Sequence, residues 1–198
     1  MLERQIFSAL ILSGGRSRRM GCDKALIKLE GEYLIQRVVR QLQTRFAEIL
    51  VLSGCTKRYE ELLDVPVLPD LVKHKGPLGG LYTGLKSCRY DWAFLIACDM
   101  PFVRPEIIKL LISEISAEPI VAFEIGGYRT HTLALYHKSC LPLIEQQIRA
   151  NDLAMHRLFE RVPVKLIAER RARQVDPELL SFRNLNNPED LFDAQQPA

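Results

Sequence analysis

Two kinds of hydrophobic pattern alternate along this chain. Short continuous apolar runs, Ile6 to Leu12, Glu48 to Ser53 and Trp92 to Ala97, end in small residues or a Cys-Asp turn and show no in-out alternation. Runs of that kind predict strands covered on both faces, as in a parallel sheet. Between them, apolar residues recur at helical spacing: Leu34, Ile35, Val38, Val39 and Leu42 have Gln36, Arg37, Arg40 and Gln41 on the opposite face, which predicts a surface helix packed on a sheet. Further helices are expected over Leu78 to Ser87, with Pro77 in the first turn, over Ile107 to Ile115, Ser139 to Arg149 and Leu153 to Arg161, and briefly over Tyr59 to Leu63. Val65 to Leu68, carrying Pro66, reads as a short edge strand, and Val164 to Ala168 as a further strand. Pro119 to Phe123 and Thr132 to Tyr136 flank a hairpin-like excursion with Gly126-Gly127 at its tip. Ala25 to Leu29 reads as a short extended piece before a turn at Gly31, and the charge run Glu169 to Arg173 as a solvated turn. Strands alternating with helices predict an α/β fold, a three-layer α/β/α sandwich whose central sheet is mostly parallel with an antiparallel strand or hairpin. One domain over residues 1–193 and a disordered tail over 194–198 are expected, with no internal repeat or linker.

The first strand runs directly into Ser13-Gly14-Gly15, three arginines (Arg16, Arg18, Arg19), Gly21 and Asp23-Lys24. Paired glycines after a buried strand let backbone N–H groups approach a ligand closely. So many cations in one short stretch make that ligand an anion, and polyphosphate matches both amide donors and guanidinium forks. Two familiar phosphate loops are excluded by spacing. In GxxxxGK[ST] four residues separate the glycines and lysine follows the second, whereas five residues separate Gly15 from Gly21 and Cys22 follows; GxGxxG fails because Gly14 and Gly15 are adjacent.

Composition narrows the ligand. Of 198 residues, 47% are hydrophobic and 26% charged, and the net charge is only +3, so nucleic-acid binding is not expected and the anion is small. Five cysteines (Cys22, Cys55, Cys88, Cys98, Cys140) without a CxxC pair argue against a disulfide framework or a zinc site. With no signal peptide and no apolar run long enough to span a membrane, a reduced, cytoplasmic protein is expected, without a membrane partner.

Three further features carry candidate chemistry. Asp70 precedes Lys73, His74 and Lys75 and a glycine-rich helix with Gly79, Gly80 and Gly84. Those glycines imply either a ligand or a sheet close against the helix backbone. Asp99, in Cys98-Asp99-Met100-Pro101, falls at the carboxyl end of the third apolar run, where it could cap the next helix or hold Mg²⁺ beside a substrate phosphate. Near the end of the chain, Asn187 suits the cap of a helix beginning Pro-Glu-Asp, which leaves Asn184 and Asn186 unexplained.

The segment LSGGRSRRMGCDKAL, over some fifteen positions, resembles the signature loop of nucleotidyltransferases, and most of all that of the molybdenum cofactor guanylyltransferases (MobA). GPLGGLYTGL and NLNNPEDL are similar to later segments of the same family, in matching order. The resemblance implies a Rossmann-like fold and Mg²⁺-dependent transfer of GMP from GTP to molybdopterin, with release of pyrophosphate. It implies catalytic roles for Arg19, Lys24 and Asp99, with Asp99 as the Mg²⁺ ligand. Leu12, Ser13, Gly14, Gly15, Lys24, Ser53, Asp70 and Asp99 would bind the nucleotide: Gly14, Gly15 and Arg19 at the β- and γ-phosphates, Lys24 at the α-phosphate, Leu12 to Gly14 at guanine, and Ser53 or Gly54 with Asp70 at base and ribose. Asn184 and Asn186 would face the acceptor or support the residues that touch substrate; Arg129 and His131 are weaker acceptor-side candidates, a structural histidine being the plainer reading. Other cofactor-biosynthesis proteins and apo-molybdoenzymes are the macromolecular partners it suggests. Two alternatives stand beside it: a cytidylyl or sugar-phosphate nucleotidyltransferase with the same loop, and a non-catalytic GTP or molybdopterin carrier.

Overall fold

A computed structural model of the chain describes residues 5–13, 24–54 and 56–185. In chain order the elements are β1 (Gln5–Leu12), β2 (Lys28–Leu29), β3 (Glu32–Tyr33), α1 (Leu34–Gln43), β4 (Phe46–Leu52), α2 (Lys57–Glu60), β5 (Val67–Leu68), α3 (Gly76–Ser87), β6 (Trp92–Ala97) and α4 (Pro105–Ser113). There follow β7 (Ile120–Ile125), β8 (Tyr128–Arg129), β9 (Ala134–His137), α5 (Leu141–Arg149), α6 (Met155–Arg161), β10 (Val164–Ala168) and α7 (Glu169–Val175). The main sheet runs β10-β7-β9-β6-β1-β4-β5, with β8 added to β7 as the second arm of a hairpin. β1 pairs in parallel with both β4 and β6; β9 is antiparallel to both of its neighbours, and β8 is antiparallel to β7.

Side-chain alternation along the strands divides the core into two layers. Ala9, Ile11, Val51, Phe94 and Ile96 face α1, α4 and α7, where Ile35, Val38, Ile107, Leu111 and Ala172 meet them. Leu10, Leu50, Leu95 and Ala122 face α3, α5 and α6 through Leu81, Leu85, Ile144 and Leu158. Each interior strand therefore needs apolar side chains at consecutive positions, which is why the runs read as continuous. The three-layer α/β/α sandwich is present as expected.

Two readings of the sequence are corrected. The run Glu169 to Arg173 is not a solvated turn but the first turns of α7: Ala172 is fully buried against the sheet, Glu169 and Arg173 pair across one turn at 2.7 Å, and Arg171 reaches Glu114 at the end of α4. One small residue among charges is enough to seat a helix whose other faces stay wet. The stretch after Lys24 is extended only over β2; Lys24–Leu26 forms a single 3-10 turn that puts Ala25 into the core.

The glycines of α3 have a packing explanation. A Cβ on Gly80 would stand 2.5 Å from Leu12 Cδ2, and one on Gly84 would stand 2.5 Å from Leu10 Cδ1 and 2.9 Å from Leu52 Cδ1. Close helix-to-sheet contact thus accounts for both, and it brings the N-terminal half of α3 over the carboxyl end of β1. Gly84→Ala is expected to destabilise by about 1–2 kcal/mol, the strain of overpacking less the gain in helix propensity. Thermal unfolding should show this as a Tm lower by roughly 2–8 °C.

Candidate active site

The parallel strands end together. Leu12 is in register with Leu52 of β4 and Ala97 of β6, and Leu52 with Leu68 of β5. The ladder carries on one residue further: Ser13 N–H donates to Leu52 O at 2.9 Å, Cys98 N–H to Leu12 O at 3.0 Å and Ser53 N–H to Leu68 O at 3.0 Å. From β1 the chain goes to β4 on one side, and after β5 it crosses back to β6 on the other side of β1. A crevice outside the carboxyl ends follows at such a switch point, and that is where open α/β sheets bind ligands.

Lys24 and Asp99 meet there. Lys24 Nζ lies 3.6 Å from Asp99 Oδ2, with the two side chains 22% and 17% exposed. Ser13 follows the last residue of β1 and Lys24 touches Asp99, two residues past β6, so the described residues on either side of the segment 14–23 both lie at this edge of the sheet. Gly14, Gly15 and Arg19 lie within that segment, outside the described residues, and Asn186 lies outside them too.

Asp99 does not cap a helix. α4 begins at Pro105 with Arg104 in the capping position, and Asp99 Oδ1 is buried without a hydrogen-bond partner among the described residues. Burial pushes the Asp99 carboxyl above its ordinary range, against the pull of the Lys24 ammonium. An acceptor oxygen kept dry and unsatisfied costs free energy unless a ligand completes it. Among the described residues no group of three or more His, Cys, Asp or Glu could form a metal cage. The donor set fits a hard cation that retains its waters and takes one carboxylate plus substrate phosphate, the usual manner of Mg²⁺.

On the other flank stand Ser53, Gly54 and Asp70. Ser13 and Ser53 are buried, each only 3% exposed, and Ser13 Oγ has no hydrogen-bond partner among the described residues. A Cβ on Gly54 would stand 3.8 Å from Asp70 Oδ2, so this carboxylate lies against the backbone that follows β4. Burial raises the Asp70 carboxyl above its usual range, opposed by the positive field of His74. Thr83, which sequence reasoning missed, holds the peptide after Asp70: its hydroxyl accepts Leu71 N–H at 3.0 Å and donates to Gly79 O one turn back at 2.9 Å. A threonine inside a glycine-rich helix was the available signal, since mid-helix Ser and Thr are neutral at best unless the side chain has a bond to make.

Leu12, Ser13, Lys24, Ser53, Asp70 and Asp99 therefore share one edge of the sheet. Asn184 comes to it as well, exposed, beside Leu185, whose N–H donates to Asp99 O at 2.9 Å. The β7–β8 hairpin and the turn before β9 lie further along. Arg129 is exposed there, while His131 sets its ring edge-on to Phe159 at 4.7 Å and accepts the Tyr136 hydroxyl at its carbonyl at 2.6 Å. Burial, with His156 and Arg129 nearby, holds His131 below the ordinary imidazole range.

The sequence model for the MobA-like NTP transferase domain matches residues 9–167, from β1 through β10. This chain belongs to the MobA-like NTP transferase family. Full-length relatives agree: the chain is 34% identical over 194 residues to a probable molybdenum cofactor guanylyltransferase of Natranaerobius thermophilus, covering 96% of this chain and 95% of that one. It is 33% identical over 186 residues to the molybdenum cofactor guanylyltransferase of Syntrophotalea carbinolica, covering 93% and 88%. Among solved structures it is similar to the molybdopterin-guanine dinucleotide biosynthesis protein A of Archaeoglobus fulgidus, with TM-score 0.85, 27% identity, and 96% and 97% of the two chains covered. In this MobA-like chain the matched region takes in β1, the switch point and Asp99, so the family likeness and the crevice coincide. No helix among the described residues is long and apolar enough to cross a membrane.

Proposed function

We propose that this protein transfers GMP from GTP to molybdopterin, forming molybdopterin guanine dinucleotide and pyrophosphate. The observation that carries the reading is the Lys24–Asp99 pair at 3.6 Å, set at the switch point of the sheet, in a chain whose relatives are named for guanylyl transfer to the molybdenum cofactor.

An oxygen of the acceptor's terminal phosphate attacks the α-phosphorus of GTP, the bond from that phosphorus to the β-bridging oxygen breaks, and pyrophosphate leaves with the bonding electrons. The acceptor oxygen is already an anion near neutral pH, because the second ionisation of a phosphate monoester falls near pH ~6. A protein base is not required. The work of the chain is to hold the reacting groups in line and to match the charge that moves toward the leaving group. In this reading Lys24, opposite Asp99, meets the α-phosphate, and Arg19, Gly14 and Gly15 take the departing phosphates. Ser13, Ser53 and Asp70 on the β1-β4-β5 flank take the guanosine, and the β9 side of Asp99 is left for the acceptor. Asp99 would hold Mg²⁺ through its carboxylate, and the ion would neutralise the triphosphate as a Lewis acid.

A pyrophosphate-release assay with each of the four nucleoside triphosphates, with and without molybdopterin, tests this. GTP with molybdopterin is expected to give release well above every other combination. Preference for CTP would move the chain to cytidylyl transfer, and binding of GTP without any release would make it a carrier.

A further inference from the structure

The segment from Asp176 to Leu185 returns from α7 to the catalytic edge of β6, and its contacts are more specific than those of a passive tail. The Asp176 carboxylate is fully buried; it lies 3.3 Å from Arg104 Nε and accepts Leu180 N–H at 3.2 Å and Ser181 N–H at 2.8 Å. Ser181 Oγ in turn accepts Arg104 N–H at 2.9 Å. Phe182 stands edge-on against Phe123 of β7, with ring centres 5.0 Å apart. At the far end Leu185, 1% exposed, fills a pocket with Leu29 and Leu34, flanked by Ile27 and Phe102. There its N–H donates to Asp99 O at 2.9 Å.

The loop from Asp99 to Arg104 is thus gripped at both ends by one segment, while Gln41 Nε2 donates to Pro101 O at 2.7 Å between them. Because Oδ1 of Asp99 makes no hydrogen bond among the described residues, the aim of the carboxylate rests on its backbone and on Lys24. We infer that Asp176–Leu185 is a strap that sets the position of Asp99 relative to Lys24, and that Leu185 and Ser181 are positioning residues for the site that takes the metal-bound triphosphate. The inference rests on the nucleotidyl-transfer reading above. A misplacement of an ångström at a reacting centre can cost ~10²-fold in rate, so a device that fixes this carboxylate acts on turnover more than on folding.

The test compares Leu185→Ala with Leu42→Ala. Leu42 is equally buried, but it sits at the end of α1 that leads into the opposite edge of the sheet. Both truncations leave a core cavity and are expected to lower Tm comparably. Leu185→Ala is expected to reduce kcat on the order of ten- to a hundredfold and to weaken Mn²⁺ binding to the full chain with a non-hydrolysable GTP analogue, read by calorimetry. Leu42→Ala should leave both near wild type, and Leu185→Met, which keeps the volume, should restore them. Ser181→Ala, a milder change, should shift kcat and Mn²⁺ affinity in the same direction if Leu185→Ala fails to fold. If the strap variants lose only Tm, as Leu42→Ala does, the strap is merely structural and the inference is overturned. If wild type itself neither binds Mn²⁺ with the analogue nor releases pyrophosphate, the functional reading fails along with it.

Discussion

Asp99→Asn is expected to lower kcat/KM by on the order of 10²- to 10³-fold, the usual cost of losing one group aimed at the developing charge, while leaving the folded protein as stable as before or more so at neutral pH. The substitution keeps the shape of the side chain and removes its charge. Burial already works against that charge and outweighs the Lys24 ammonium, so the folded-state proton affinity of Asp99 is raised. A raised carboxyl binds its proton more tightly folded than unfolded. Its contribution to stability is therefore best at low pH, falls as pH rises from the ordinary carboxylate range through the folded value, and stays unfavourable above it. Asparagine has no such slope. Thermal melts from acid to neutral pH should accordingly show the variant gaining on wild type as pH rises, while the assay shows it nearly inactive. A residue that costs stability and is indispensable to rate is what a metal-bearing carboxylate should look like. Loss of stability with activity intact would mark Asp99 as structural instead.

Lys24→Ala carries the second large effect. Turnover should fall by roughly 2 to 4 kcal/mol in the barrier, or ~10²- to 10³-fold, with a nearly unchanged melt. The pair it makes with Asp99 is long, 3.6 Å, and both partners keep some contact with water. At that length the attraction is weak, and without the ammonium the raised Asp99 carboxyl can take up a proton rather than stand charged and unpaired, so folding loses little. Toward a triphosphate the same ammonium meets several negative oxygens in a crevice that substrate helps to dry, and its field counts for far more. Lys24→Arg should rescue only part of the rate, since a planar fork cannot replace a compact charge at one position. Survival of the rate with loss of stability would reverse the assignment.

Most of the scaffold was legible because the physical signals were local. Trp92–Ala97 and Val164–Ala168 have as strands the bounds that their sequence suggests, and the helical spacing from Leu34 to Leu42 marks α1 within one residue of its end. The approach of Asp99 to Lys24 was legible for a different reason: strands that stop in small residues or at a Cys-Asp turn bring their following loops to a common edge once they run parallel. What periodicity could not supply was neighbourhood. Glycines 80 and 84 looked the same whether a ligand or Leu10 and Leu12 lay against them, and only the stacking of α3 on β1 decides for the leucines. The charges around Ala172 hid α7, because a helix touching the core at so few points leaves almost no hydrophobic period. Leu185 carries no signal of its own as one leucine between asparagines, although it is buried and its N–H is bonded to Asp99. Thr83 was missed because its partners, Leu71 and Gly79, come together only through a loop conformation.

The central claim is that the Lys24–Asp99 crevice breaks the bond between the α- and β-phosphates of GTP while handing the nucleotide to an acceptor phosphate. A single-turnover experiment with GTP labelled at the α-phosphate, supplied with Mg²⁺ and molybdopterin, measures this directly. The label is predicted to pass into a molybdopterin dinucleotide, one pyrophosphate appearing for each label transferred, with both signals lost together in Asp99→Asn. Label that stays in GTP despite saturating binding, or transfer that persists in Asp99→Asn, would contradict it.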